Sequence, residues 1–511
     1  MIEKRGSGRT WVLLGVALLV VGLLIRLALY FPPALFQVDA DAVIAGLCAF
    51  RVAEGHFPVF LPGGVRVGAA SCYLAAAYFH ALGPVRAALA LTSLTWSAFY
   101  LAFTLLLLRT TLGPKLALVG FLFAVVPAEQ FMTVAYAPWG YGEIVASCAA
   151  SLWLASEWRR GGAVWQRLCF GLSVGLGVWF SLQTLMVALP AIVWLAAERR
   201  NRFLKESLVA VAGAIAGAAP FLLGNAAHGF PSLTQNWYSQ PVSSVSQASA
   251  DLLWLLTYLL PQLLSRFPEL PESPILMGAF ALVAIGFVLA ARRGSGSLGT
   301  PIGLAGVGQL LALVLAACVL IFGFSHAGTL RGWTVRYIAP LYVVVPIFCG
   351  AGIAGLWRWS RPLATATAAA LLVTNLCFYS LPGSHLRAIL ANRLLDENHL
   401  REVLAQHRVR AVYGNYDWVY NLNFDSRELL AGVPAEAAYD YYAYGDRLGT
   451  SPVRWALLGR RDEVSAWQRA AGAHGTLFQN DELWVFIADR PAPNAALLFA
   501  SLGRTPAAPT R

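Results

Sequence analysis

The chain has 511 residues, with 37 Lys and Arg against 26 Asp and Glu, for a formal net charge of +11. Apolar residues make up 58% and charged residues only 12%, where soluble domains carry about 45–50% and about 25%. So little charge cannot cover a water-soluble protein of this size, and so apolar a chain is not disordered; both classes are excluded.

Twelve of the acids precede Ser384 and fourteen follow it. Before that point they are separated by apolar runs of roughly 15–25 residues, the length that crosses a bilayer as helix. The sequence therefore reads as a polytopic α-helical membrane protein with a polar C-terminal tail. Its basic charge belongs to membrane topology, and no nucleic-acid partner is expected.

The first run, Trp11 to Tyr30, is too long for a signal-peptide core and lacks a convincing cleavage site, so it reads as a retained helix. Lys4, Arg5 and Arg9 put the amino terminus in the cytoplasm by the positive-inside rule. Arg26, near the outer end of this helix, is a weak candidate for phosphate recognition. Outer residues 31–85 follow. Asp39 and Asp41 lie in VDADAVIAG at the start of an amphipathic stretch, 40–54. A helix N-terminus accounts for one aspartate as a cap, whereas two beside a membrane make one of them a catalytic candidate. The second stretch, 69–82, is too short to span a core of about 30 Å. Both are read as interfacial helices.

About eleven spans then satisfy the rule, near 11–30, 86–108, 115–128, 141–157, 168–182, 184–198, 206–224, 275–291, 301–324, 337–357 and 363–381. This arrangement keeps all three lysines, Lys4, Lys115 and Lys205, inside. It also turns the basic clusters around Arg109, Arg159, Arg199, Arg292 and Arg358 inward. Glu157, Glu198 and Glu206 fall beside those clusters as solvated partners. Outside, Glu129 in VPAEQF is either a substrate-binding acid or a solvated loop residue. Glu143 in WGYGEIVAS opens a long apolar helix, where the helix dipole favours it and where a functional carboxylate is equally at home. Residues 252–264, interrupted by Pro261, are too short to span and are read as interfacial or re-entrant. Arg331 and Arg336 precede an apolar run on the outer side, where arginine is disfavoured. They either snorkel to lipid phosphate or grip a bound phosphate with a guanidinium fork.

The tail, 384–511, reads as a small α/β domain on the outer face. It has a helix over 395–407, strands over 408–414 and 453–459, a helix near 462–473, and a hairpin turning at Asn480-Asp481. The seven cysteines lie in apolar segments without a CxxC pair, so they are expected to be core residues, with neither a zinc site nor a disulfide framework. His56, His228 and His326 lack metal-ligand spacing to other ligands. No nucleotide-binding or HExxH motif is present.

Several segments in this order resemble the GT-C class of membrane glycosyltransferases, in the branch of the protein O-mannosyltransferases and the lipid A aminoarabinose transferase (glycosyltransferase family 39-like). They are DADAVIAGLCAFRVAEGHFPVF (39–60), YLAAAYFHALGP (73–84), WGYGEIVAS (139–147), GLSVGLGVWFSLQTLMVALPAIVWL (171–195), GAAPFLLGNAAHGFPSL (217–233) and RYIAPLYVVVP (336–346). YDWVYNLNFDSRELL (416–430) is similar to a segment in uncharacterised members. The resemblance implies a sugar donor carried on polyprenyl phosphate, used at the outer face of the cytoplasmic membrane. A carboxylate deprotonates an acceptor hydroxyl, which displaces the lipid phosphate with inversion. The acceptor is a lipid, a glycan or a protein. By position, Asp41 matches the first-loop aspartate, with Asp39 in reserve, and Glu143 matches the acid of the second outer loop. Arg336 and Tyr337 match the RY motif. No cofactor is called for, although a divalent metal is compatible with the class. The chain departs from the pattern over 63–73, where Gly64, Arg66 and Ser71 replace the expected Gln, Tyr and Glu. That leaves donor and acceptor type open and offers Arg66 as an additional phosphate contact. A transporter or flippase of lipid-linked sugars, and a non-catalytic envelope scaffold, remain the other readings.

Overall fold

Apolar surroundings oblige each backbone N–H and C=O to find its partner within its own segment, so the apolar runs become helices. The structure is a computed structural model. It describes residues 3–30, 40–62, 67–135, 140–227, 229, 230, 232, 244–264, 274–292, 304–324, 334–380, 399–435, 444, 448, 452–480, 483–492 and 494–502. The chain forms two compact units, one from residues 1–30, 65–70 and 92–384, the other from 31–64, 71–91 and 385–511.

The first unit is helical. It contains α1 (Glu3–Tyr30) and, after α2 (Ala40–Ala53) and α3 (Ala70–Leu82), most of α4 (Arg86–Leu112). Next come α5 (Pro114–Val125), α6 (Glu129–Ala135), α7 (Tyr141–Arg159), α8 (Val164–Phe180), α9 (Leu185–Glu198) and α10 (Phe203–Ala226). Further helices occupy Val245–Trp254, Pro274–Arg292, Leu304–Phe324, Val345–Trp359 and Arg361–Ser380. Among the described residues three helical stretches are by themselves long and apolar enough to cross a membrane: Thr10–Tyr30, Arg86–Leu112 and Phe203–Ala226.

Two runs break where proline dictates. The expected span over 337–357 begins instead as a turn of helix at Thr334–Tyr337 and a 3-10 segment at Ala339–Val343. Regular helix starts only at Val345, since Pro340 and Pro346 lack N–H groups and suit first-turn positions. Before Pro261 the chain widens into a π-turn over Leu255–Leu259, with the Leu260 N–H donating to the Leu255 C=O.

Close helix packing in this unit depends on glycine. Along α8 and α10, a Cβ on Gly171 or Gly175 would collide with the backbone of Ala210 or Ala214, and one on Gly213 or Gly217 with that of Leu168 or Leu172. The two helices therefore meet backbone to backbone, the small-residue contact by which helices associate where no water is displaced.

Arg26 is fully buried, and its role differs from the phosphate contact considered for it. Nη2 donates to the Ala124 C=O at 2.8 Å, and Nη1 to the Val125 and Gly22 carbonyls at 3.2 and 3.0 Å. The guanidinium thus satisfies orphan carbonyls at the C-terminus of α5, where a cation is also favoured by the helix dipole. Arg26→Met should lower unfolding stability by about 2–4 kcal/mol, because buried carbonyls lose charge-assisted donors. A denaturation midpoint in detergent checks this.

The second unit combines α2, α3 and the start of α4 with a five-stranded sheet. The strands are β1 (Ala411–Gly414), β2 (Ala431–Pro434), β3 (Trp455–Gly459), β4 (Gly475–Asn480) and β5 (Leu483–Ala488), in the order β2-β1-β3-β5-β4. β1 runs parallel to β2 and β3, and β5 runs antiparallel to β3 and β4. The helix Tyr416–Asp425 connects parallel β1 and β2, as a parallel crossover requires. Asn480 pairs opposite Leu483, so β4 and β5 form the antiparallel hairpin expected around Asn480-Asp481, with Asn480 itself in the strand.

Helix Tyr416–Asp425 packs on α2. Phe424 stacks on Phe50 at 5.6 Å, and a Cβ on Gly46 would strike the Phe424 ring. Arg86 clamps the same helix with a forked pair to Asp425 at 2.6 and 3.0 Å and a bond to Asn421 at 3.0 Å. Arg51 pairs with Glu54 and Glu428, and the Tyr444 hydroxyl donates to Glu428 at 2.7 Å. Burial works against the Arg51 charge, but Glu54 and Glu428 more than offset it and hold its pKa above the ordinary value.

Cys48 and Cys72 form a disulfide between α2 and α3, their Cα atoms 5.4 Å apart. This corrects the expectation that all seven cysteines are unpaired core residues. The bond joins one turn of α2 to one turn of α3, a juxtaposition that cysteine spacing does not encode. Closing a loop of this length contributes about 3–4 kcal/mol in the chain-entropy account. Cys48→Ala/Cys72→Ala is expected to lose that amount from the cooperative unfolding of this unit, as is reduction of the wild type. Protease protection of α2 and α3 with and without reductant measures it.

Candidate functional site

In the first unit, three of the segments singled out in the sequence pack on one another. Helix α6 carries Glu129, α7 opens with Glu143, and the segment beginning at Thr334 carries Arg336 and Tyr337. The Thr334–Tyr337 turn and the following 3-10 segment lie against α6, and that 3-10 segment also touches α7. An aromatic cluster fixes this meeting point: Phe131 sits 4.7 Å from the Tyr342 ring and 5.1 Å from Tyr100, whose hydroxyl donates to the Tyr342 C=O at 3.1 Å.

Glu143 is fully buried in the first turn of α7, where free N–H groups and the dipole favour a carboxylate. Gly140 permits this entry with φ 99°, a left-handed conformation that also leaves room for Val67. A Cβ on Gly142 would press on Trp96, so α7 starts in close contact with α4. Glu129 is likewise buried, and the amide of its neighbour Gln130 bonds Gln262. Solvation in an open loop therefore does not describe Glu129. Arg336 and Tyr337 are half-buried.

In the second unit, Asp41 stands half-buried in the first turn of α2 and accepts a hydrogen bond from the Tyr416 hydroxyl at 3.1 Å. The Ala40 N–H at that terminus donates to Asp417 Oδ1 at 3.1 Å. Asp417, which sequence reasoning passed over, thus supplies a cap at the terminus where one of Asp39 and Asp41 was expected to serve. Helix Tyr416–Asp425 is itself capped by Asn415, whose side chain accepts from the Asp417 N–H at 3.0 Å. The only available signal for Tyr416 and Asp417 was the Tyr- and Trp-rich segment in which they lie. Asp39, Arg66 and Arg331 lie outside the described residues. Ser71, at the departure from the family pattern, is fully buried. Among the described residues no three His, Cys, Asp or Glu side chains are grouped as metal ligands.

Glu143 and the Arg336–Tyr337 turn lie in segments that resemble the GT-C class, and solved structures share the fold of the chain. The chain superposes on ArnT from Cupriavidus metallidurans bound to undecaprenyl phosphate, with a TM-score of 0.61 and 13% identity, over 94% of this chain and 98% of that one. The apo state of the same ArnT matches with a TM-score of 0.60 and 13% identity, over 96% and 99%. No family model matches the chain, and no curated protein matches it in sequence.

Proposed function

We propose that this protein is an integral membrane glycosyltransferase that moves a sugar from a polyprenyl-phosphate donor to an acceptor hydroxyl. The observation that carries the reading is Asp41: a half-buried carboxylate at the start of α2, on a helix end already capped by Asp417 and within reach of the Tyr416 hydroxyl. ArnT, with which the chain shares its fold, is bound to undecaprenyl phosphate, and that supports the donor class.

In the proposed reaction the acceptor oxygen attacks the anomeric carbon and its proton passes to Asp41, or to Asp39. The bond from the anomeric carbon to phosphate oxygen breaks with inversion, and the lipid phosphate leaves as an anion. Arg336, aided by Arg331 and Arg66, stabilises that anion, while Tyr337 and Glu129 bind substrate and Glu143 is a second acid for the acceptor. The eleven spans, the inward amino terminus and the outward placement of residues 384–511 belong to the same proposal. A disulfide between α2 and α3 supports an outward position for these helices, since such bonds persist in oxidising compartments.

The test is a panel of radiolabelled polyprenyl-phosphate sugars incubated with purified protein and envelope fractions. Transfer of label from one donor is expected. Saturable donor binding without transfer, from every donor in the panel, would sink the transferase reading and favour a carrier of lipid-linked sugars.

A further inference from the structure

Where α7 and α9 end and α10 begins, five arginines, Arg159, Arg160, Arg199, Arg200 and Arg202, line an open cleft of about 540 Å³ together with one carboxylate, Glu198. Two of the five have structural work. The Arg159 guanidinium lies 4.7 Å over the Trp194 ring and 2.6 Å from Glu198. Arg199 pairs with Glu206 at 2.9 Å and donates to the Trp158 and Arg159 carbonyls at the end of α7. Arg160 is held loosely, 3.6 Å from Glu157. Arg200 and Arg202 are exposed, and among the described residues neither has a carboxylate partner. The cleft therefore keeps an uncompensated positive charge.

Directly beside it lies a second cavity of opposite character, about 230 Å³, lined by Trp158, Phe170, Val174, Phe203, Val211 and Ala214 among others. Their linings adjoin in sequence. Trp158 precedes Arg159, Phe203 follows Arg202, and the two rings stack at 5.8 Å. Trp158 donates its indole N–H to Glu206 at 2.7 Å, so its polar edge meets the charged layer while its ring lines the apolar cavity. From there α10 presents Leu204, Leu208, Val211 and Ile215, spaced as one helical face and 51–80% exposed. An inorganic anion would use only the basic cleft. A basic cleft whose lining adjoins that of an apolar crevice, with an apolar stripe next along α10, matches an amphiphile with an anionic head.

We propose that this end of the first unit is a binding site for an anionic phospholipid. Its phosphate lies among Arg160, Arg200 and Arg202, and an acyl chain follows the Trp158–Phe203 crevice onto the α10 stripe. The site is separate from the residues assigned to sugar transfer, so it stands or falls independently of that assignment.

Native mass spectrometry of the purified full chain, exposed to equimolar phosphatidylglycerol and phosphatidylcholine, tests the proposal. Wild type should retain phosphatidylglycerol at least about tenfold over phosphatidylcholine. Each guanidinium near an anionic headgroup contributes about a factor of five in affinity, so Arg200→Ala/Arg202→Ala should weaken retention about 30-fold with an unchanged melting temperature. Val211→Trp, which fills the crevice, should weaken it without altering the charge. Equal retention of the two lipids by wild type would overturn the site, as would full retention by the double arginine variant. Millimolar inorganic phosphate should leave the lipid in place; if it displaces the lipid completely, the cleft binds a free anion and the lipid assignment fails.

Discussion

Asp41→Asn should lower the turnover number for sugar transfer by about 10²–10⁴-fold, the range a positioned general base contributes. The fold should survive, because the amide oxygen can still accept the Tyr416 hydroxyl and the α2 terminus keeps Asp417 as its cap. The informative comparison is turnover against KM for the donor. A base acts in the transition state, so turnover should fall while donor affinity holds. Tyr416→Phe, which removes the hydroxyl that donates to the carboxylate, separates orientation from basicity. If Asp41→Asn keeps activity within about threefold of wild type, the base is elsewhere, and Asp39→Asn and Glu143→Gln become the deciding variants.

Arg336→Gln is expected to reduce kcat/KM by about 10²–10³-fold, comparable to removing one preorganised donor from a developing anion. Arg336 is half-buried in the short Thr334–Tyr337 turn, which lies against α6, and in the proposed reaction that platform carries its guanidinium toward the leaving phosphate. Arg336→Lys should recover part of the loss, since an ammonium keeps the charge but not the two-pronged geometry. Binding of an unreactive polyprenyl phosphate, measured alongside activity, gives the second reading. A variant that binds this lipid normally and transfers normally would remove Arg336 from the reaction.

Much of the helical structure was legible because its signal is local. A run such as Trp11–Tyr30 declares itself by length and apolarity, and 40–54 and 69–82 declare themselves as helices too short to span. They appear as α2 and α3. The hairpin at Asn480 was equally local. What escaped was non-local. β2 reads Ala-Gly-Val-Pro, a poor strand former that among the described residues pairs along one edge, with β1. Helix Tyr416–Asp425 is rich in Asn, Asp and Tyr and lacks a clear apolar period. Buried free cysteine and buried paired cysteine look alike in sequence, so Cys48–Cys72 was missed. The same limit applied at the site. Asp41 stood out by its setting, but its contact with Tyr416 spans 375 residues and leaves no trace in either neighbourhood. Arg26 misled in the opposite direction, because the carbonyls it satisfies belong to α5, 98 and 99 residues away.

That long reach sets a timetable for biosynthesis. Cys48 and Cys72 are separated by 24 positions, so their bond can close while most of the chain is still unmade. The cap on Ala40 arrives 377 residues later, with Asp417. At about 5–20 residues per second, α2 waits roughly 20–75 s for its partner helix. During that interval the disulfide holds α2 to α3 while the face that receives Phe424 stays uncovered, so a nascent chain stalled before residue 416 presents a natural target for quality-control proteases.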